Sequence, residues 1–255
     1  MIVCKSPAEL ERMRAANALV ADVLTELAGM VVPGVTTKDL DVAAEKLVRD
    51  GGAEPAFKGY RGYPCTLCAS VNEQVVHGIP SNRALGEGDI ISLDMGVKLN
   101  GFYGDSAVTV PVGKVSDEAA TLLRVTRESL EKGIAQVRLG GRISDIGHAI
   151  QQHVEAHGFS VVREFVGHGI GAALHEEPQI ANYGEPGRGP RLAEGMTLAI
   201  EPMVNIGRPA VKVLADGWTA VTKDGSLSAH FEHTVAVTKT GPLVLTRRSV
   251  PAPAA

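Results

Sequence analysis

Two stretches of the chain repeat one another at a fixed spacing, and this limits the folds open to it more than any other feature. EGDIISLDM (87–95) and EGMTLAIEPM (194–203) set Glu87, Gly88 and Asp94 against Glu194, Gly195 and Glu201. An acid therefore lands in the same place twice, 201 − 94 = 107 residues apart. The same spacing carries LAGMVVPG (27–34) onto IAQVRLGG (134–141), and the stretch ending at Gly51 onto the one ending at Gly158. Two copies describe a duplicated fold unit rather than a solenoid. FYGDSAVTV (102–110) also resembles HFEHTVAV (230–237), which sets Asp105 against Glu232, and His77-Gly78-Ile79 recurs as His168-Gly169-Ile170. One half alone buries a single face of its sheet. Two halves, about 6–110 and 114–240, are therefore expected to pack about a pseudo-twofold axis, with the acids and histidines facing the groove between them.

Local signals fill in the elements. Ser6-Pro7-Ala8-Glu9 is a capping-box pattern with proline at the first helical position, and it starts a helix running to about Met30. A second helix spans Thr37 to Asp50 and stops at Gly51-Gly52. IISLDMGVKL, Asn100-Gly101 and FYGDSAVTV predict a hairpin closed by a two-residue type I′ turn. The second half repeats the order, with helices near 116–137 and 144–157 and strands near 160–166, 196–204 and 229–237. Helix pairs outside and antiparallel strands inside give an α+β architecture. One catalytic domain over 1–250 is expected, because no Pro/Gly/Ser-rich linker divides the halves, with PAPAA (251–255) as a flexible tail.

Composition excludes several classes of function. The net charge is −4 with both signs interspersed, so no basic face for nucleic acid is evident. No stretch reaches the roughly 20 apolar residues a membrane span needs. ALVADVLTELAGMVV, from Ala18, is broken by Asp22 and Glu26. The amino terminus lacks the basic-then-apolar order of a secretion signal, and three cysteines, Cys4, Cys65 and Cys68, form no disulfide framework. Both point to the cytoplasm. The lone Cys65-x-x-Cys68 pair has no partner motif for zinc and reads as coincidence, and His153-Val-Glu-Ala-His157 is not the HExxH pattern and reads as an exposed helix face. The glycines of GHGIG match neither the dinucleotide nor the Walker pattern.

The hairpin decides how the first two acids meet. With Asn100-Gly101 as its loop, opposed residues sum to 201, so Asp94 faces Ala107 and its diagonal neighbour on the same face is Asp105. That diagonal spans about 7–8 Å. Four clustered carboxylates repel unless some protonate or cations balance them. Two divalent ions would balance four, and the neutral imidazole of His168 would complete the shell, a device that activates water.

The ordered set Asp94, Asp105, His168, Glu201 and Glu232, within LDMGVKLNGFYGD, GHGIG, EPM and FEHT, resembles the dinuclear metal site of the pita-bread fold found in methionine aminopeptidases, prolidases and creatinase. GYRGYPCTLCASVNEQVVHGIP (59–80), GHGIGAALHEEPQI (167–180) and DGWTAVTKDGSLSAHFEHTV (216–235) narrow the likeness, over nearly the whole chain, to type I methionine aminopeptidases. The resemblance implies that Asp94 chelates one metal, Asp105 and Glu232 bridge two, and His168 and Glu201 complete the other. It implies that Glu201 takes the proton of the attacking water, that His175 hydrogen-bonds the substrate carbonyl oxygen, and that His77 contacts the amide-nitrogen side. A pocket of Phe57, Tyr60, Tyr63, Cys68, Leu174 and Trp218 would hold methionine, whose thioether suits aromatic and sulfur neighbours.

The implied function is removal of initiator methionine ahead of a small second residue. The implied partners are nascent-chain N-termini, with the ribosome surface as a further candidate, and a monomer is expected. A carboxylate-rich site with one imidazole suits Co, Mn, Fe or Zn alike. Two other readings stand beside it: an Xaa-Pro aminopeptidase or prolidase with the same ligands, and a non-catalytic pita-bread module that binds peptides. Prolidases usually carry a separate amino-terminal domain, and inactive modules lose ligands, whereas all five are present here. His77, His175, Tyr63 and Trp218 each have a plainer reading as core side chains. Arg61, Leu174 and Phe231 depart from the family pattern of His, an aromatic and Tyr, and bear on the shape of the pocket.

Overall fold

A computed structural model describes residues 1–247, and the tail expected at 251–255 lies outside them. The first half comprises α1 (Pro7–Met30), α2 (Thr37–Asp50), β1 (Glu54–Pro55), β2 (Cys68–Val71), β3 (Gln74–Val76), β4 (Ile90–Leu99) and β5 (Phe102–Pro111). The second opens with α3 (Asp117–Ile134) and α4 (Ile143–Ala156), followed by β6 (Ser160–Val161), β7 (Gly167–Gly169), β8 (Glu176–Ile180) and β9 (Thr197–Ile200). It closes with β10 (Met203–Asn205), β11 (Val211–Val213), β12 (Ala220–Thr222), β13 (Ser228–His230), β14 (Glu232–Thr238) and β15 (Gly241–Val244). The Ser6/Glu9 capping box forms with Pro7 in the first turn, and Thr36 with Asp39 makes a second box at α2. Asn100 (φ 53°) and Gly101 (φ 82°) both take the left-handed conformation that a type I′ turn requires.

Among the described residues nine strands form the main sheet, in the order β1-β4-β5-β14-β9-β7-β8, with β2 on β4 and β15 on β14. The two inner strands, β5 and β14, come one from each half, and β4 and β9 flank them. Its register places the acids. Asp94 pairs with Ala107, Ala107 with Glu232, and the pairing of His233 with Ile200 puts Glu201 beyond Glu232. The next row on the same face begins with Gly96 opposite Asp105 and ends with Thr234 opposite Ala199 and Ala199 opposite His168. Side chains two residues apart share a sheet face, so all five candidate ligands rise from one face in two adjacent rows. Gly96, at one end of the second row, makes room for Phe57, whose ring would lie 2.9 Å from a Cβ there.

Helices cover the opposite face. α1 and α2 bury Val20, Leu24, Leu27 and Leu40 against Leu93, Met95 and Val97, while α3 and α4 bury Leu122, Leu130, Ile146 and Ile150 against Leu198, Ile200, Val235 and Val237. Gly104 lets α1 approach, since a Cβ there would lie 2.9 Å from backbone atoms of Ala16 and Asn17.

Three strands differ from expectation. The run 196–204 breaks into β9 and β10 at Glu201-Pro202, because proline donates no ladder hydrogen bond, and 229–237 breaks at Phe231 into β13 and β14. Both second-half acids thus sit where a strand leaves the sheet, unlike Asp94 and Asp105 inside continuous strands. Only Ser160–Val161 of 160–166 is a strand, and α3 ends at Ile134 rather than Val137.

Candidate active site

The two rows converge on a tight polar cluster. Donor atoms of Asp105, His168 and Glu232 lie within 4.8 Å of one another, all three residues buried. His168 Nε2 is 3.6 Å from Glu201 Oε1 and 4.0 Å from Asp105 Oδ2. Between β7 and β8 the register slips just after His168, where Glu177 and Pro178 of β8 are left unpaired, an irregularity of the kind that re-aims a side chain. The glycines of GHGIG serve backbone approach: a Cβ at Gly167 would collide with the Ala199 carbonyl, and one at Gly169 with that of Glu177. His168 Nδ1 lies 2.8 Å from the Gly169 carbonyl, which can only accept, so Nδ1 carries the proton and Nε2 offers its lone pair to the cluster.

The electrostatics call for positive charge. Burial, then Asp105, pushes the Asp94 carboxyl well above the usual carboxylate range. Burial lifts Asp105 to about 7, and burial followed by the neighbouring acids raises Glu201 and Glu232 well above their ordinary value. His168 is held down to about 4 by burial and by His175, so its imidazole is neutral. Asp94 Oδ1, Asp105 Oδ1 and Glu232 Oε1 are buried without a hydrogen-bond donor. Buried carboxylate oxygens without donors, gathered around a neutral imidazole, fit divalent cations.

Every candidate metal ligand, catalytic histidine and methionine-pocket residue lines one cavity of about 160 Å³, and Arg61 borders it. Tyr63 is a fixed wall, its one hydroxyl proton shared between the carbonyls of Leu67 and Gly78 at 3.0 Å each, and Trp218 meets it edge-on at 5.1 Å between ring centres. Buried Cys68 pairs with Asp94 across the sheet, and buried Leu174, with Phe57, completes the apolar lining. At the mouth, His175 lies between Tyr60 and His168, with ring centres at 5.2 and 4.2 Å, and its Nδ1 is 2.9 Å from the Tyr60 hydroxyl. His77 has a left-handed backbone (φ 60°) and stands edge-on to Phe165 and Trp218. Such strain in a non-glycine residue concentrates at functional sites. Burial and His175 lower its pKa to about 4.

Some readings change. His77-Gly78-Ile79 is not the topological counterpart of His168-Gly169-Ile170: by register, Ser70 on β2 stands where His168 stands on β7. Phe231 is buried in the core beneath α3, on the far side of the sheet from the cavity, so it does not shape the pocket. Arg61, left-handed at φ 49°, extends its guanidinium over the Tyr60 ring at 5.4 Å and borders the cavity. His230 went unremarked in the sequence: it is buried, its Nε2 lies 3.8 Å from Glu201 Oε2, and burial with His77 lowers its pKa to about 3. Its place in HFEHT, two residues before Glu232, was the available signal.

Comparison with known proteins agrees with this geometry. The chain is 57% identical over 247 residues to methionine aminopeptidase 1 of Bacillus subtilis, covering 97% of this chain and 100% of the relative. The crystal structure of methionine aminopeptidase from Thermotoga maritima superposes with a TM-score of 0.96 at 50% identity, covering 97% of this chain and 100% of that one. The prolidase from Pyrococcus furiosus shares the fold alone, with a TM-score of 0.78 at 20% identity over 97% of this chain and 66% of that one. Residues 11–239 match the model of metallopeptidase family M24, and with the buried carboxylate and imidazole donors in place this chain belongs to that family.

Proposed function

We infer that this chain is a metal-dependent aminopeptidase that releases methionine from peptides and nascent proteins with a small second residue. The observation that carries the reading is a sulfur- and aromatic-lined cavity that shares its walls with donor-less carboxylates and a neutral imidazole. Full-length relatives bearing the name methionine aminopeptidase support it.

On this reading Asp94, Asp105, His168, Glu201 and Glu232 would hold two divalent ions, of Co, Mn, Fe or Zn. When bound, they polarise the scissile carbonyl and make water a nucleophile at neutral pH. The protein groups do the rest. Glu201, deprotonated when the ions are bound, would accept the proton of the attacking water. His175, held by Tyr60, hydrogen-bonds the carbonyl oxygen as negative charge develops, and His77 faces the amide-nitrogen side. Phe57, Tyr60, Tyr63, Cys68, Leu174 and Trp218 take the thioether side chain. The proposed substrates are nascent-chain N-termini, met by a monomer in the cytoplasm, with the ribosome surface as a further candidate partner.

A peptide panel varying the first and second residues, run with each metal added to chelated protein, tests the reading. Turnover of Met-Ala-Ser with rejection of Xaa-Pro peptides that lack methionine is expected, and His168→Ala or Asp105→Asn abolishes it while the chain stays folded. Preference for Xaa-Pro irrespective of methionine would make the chain a prolidase, and near-normal turnover by either variant would remove the metal site from the chemistry.

A further inference from the structure

His153 and His157, expected to lie on an exposed helix face, do something more specific. They stand one turn apart at the end of α4, with ring centres 4.7 Å apart, and α3 brings Glu128 beside them. The His153 ring is mostly buried between the helices, its Nε2 3.1 Å from Glu128 Oε2. Donor atoms of Glu128, His153 and His157 all lie within 4.8 Å of one another. We propose that these three side chains form a second metal site, on the outer helical layer, that takes an imidazole-preferring divalent ion such as Zn, Ni or Cu.

Four observations carry this. His157 Nδ1 lies 2.8 Å from the His153 carbonyl, which can only accept, so its Nε2 is left with a free lone pair. That is the arrangement of His168, and a backbone carbonyl fixing the tautomer is the usual support of a ligating histidine. Arg124 grips both oxygens of Glu128 at 3.1 and 3.0 Å and so orients the carboxylate towards the imidazoles. Residues four apart on a helix share a face, and the carboxyl end of α4 carries the negative pole of the helix dipole, which favours a cation. Around zinc, donors at ~2.0–2.2 Å sit roughly 3–3.5 Å from each other. The Glu128–His153 pair is already at that spacing, with His153 Nε2 donating to the carboxylate, so a bound ion would take the place of that proton.

Two imidazoles and one carboxylate form a softer set than the four carboxylates and one imidazole of the cavity, so the two sites sort metals differently. The ion would also tie α3 to α4.

The test uses the full chain, chelated and then titrated with Ni²⁺ against a chromophoric competitor. His157→Ala is expected to bind one equivalent fewer than wild type, and Glu128→Gln to weaken that equivalent by about tenfold or more, as loss of supporting groups alone costs 10–100-fold. With Cu²⁺, His157→Ala loses the nitrogen coupling of a second imidazole in the electron paramagnetic resonance spectrum. Hydrolysis of Met-Ala-Ser by the Mn²⁺-loaded protein stays unchanged, which separates this site from the cavity. Because His157 is exposed and bonds only within its own helix, the variant folds, and His157→Gln serves as a second check. Equal stoichiometry and equal dissociation constants in wild type and both His157 variants would overturn the proposal, leaving the Glu128–His153 contact as a plain link between helices.

Discussion

His175 and Tyr60 show how the chemistry is divided between neighbouring side chains. His175 faces the carboxylates, whereas Tyr60 lines the methionine side of the cavity and holds His175 through the 2.9 Å contact to its Nδ1. If His175 stabilises the developing oxyanion, His175→Ala should lower kcat by about 10²–10³, as loss of an oxyanion donor does. Tyr60→Phe removes a single hydrogen bond worth ~0.5–1.5 kcal/mol, about 2- to 10-fold in rate. Steady-state kinetics of both variants on Met-Ala-Ser check this, and equal losses would mean that Tyr60 itself touches the reacting atoms. At this scale the sequence was most legible where a residue carries its own signature. The acids stood out because the duplication set them at matching positions, and the histidines because of their HGIP, GHGIG and HEEP settings. His230 and Glu128 were silent, since what matters about them is proximity to Glu201 and His153 across distant elements.

Glycine placement tests the reading at the level of elements. A Cβ at Gly104 would press on the backbone of α1 at Ala16 and Asn17, which has no flexible end to yield, so Gly104→Ala should cost about 1–3 kcal/mol. Gly29, near the end of the same helix, has nothing within 4 Å, and Gly29→Ala should stabilise by ~0.5–1 kcal/mol through helix propensity. Urea denaturation of the two variants should move the midpoints in opposite directions. The ion pair of Lys5 with Glu176 joins the amino-terminal segment to β8, next to His175, with side chains only 3% and 13% exposed. Lys5→Met strands a buried carboxylate and should cost about 3–5 kcal/mol, most of it recovered in Lys5→Met/Glu176→Gln. Helices and the hairpin were legible from caps, periodicity and the Asn-Gly turn, all of which act over a few residues. The breaks at Glu201-Pro202 and Phe231 were not, because both runs keep strand-like composition while the chain passes from one sheet to another. The Lys5–Glu176 pair spans 171 positions and leaves no local trace.

Over the whole molecule, the site opposes the fold that builds it. The duplicated halves bring four carboxylates to one sheet face, and each has its proton affinity raised by burial, with neighbouring acids adding to it at Asp94, Glu201 and Glu232. Cations relieve that conflict, so stability, metal and pH are linked. In chelated protein the folded state holds protons on these acids that the unfolded chain, with carboxyl pKa values near 4, has already released. A group whose folded pKa is raised stabilises below its unfolded pKa and loses that contribution as pH climbs through the folded value, about 7 for Asp105. Histidines work in the opposite sense. His77, His168 and His233, lowered to about 4, and His230, lowered to about 3, add stability as pH rises towards 6.5 and nothing further above it. Between about pH 4 and 6.5 the two sets oppose each other, and above 6.5 the acids act alone. The chelated protein should therefore melt lower at pH 8 than at pH 6.5 by several degrees, given that ~1 kcal/mol moves Tm by about 2–4 °C in a chain of this size. Saturating Mn²⁺ should raise Tm at both values, more at pH 8, because the ions bind the deprotonated acids and replace their protons. Differential scanning calorimetry at the two pH values, with and without Mn²⁺, measures all four midpoints. A chelated protein whose Tm stays level or rises from pH 6.5 to 8 would show that these carboxylates are not held together at one face of the sheet.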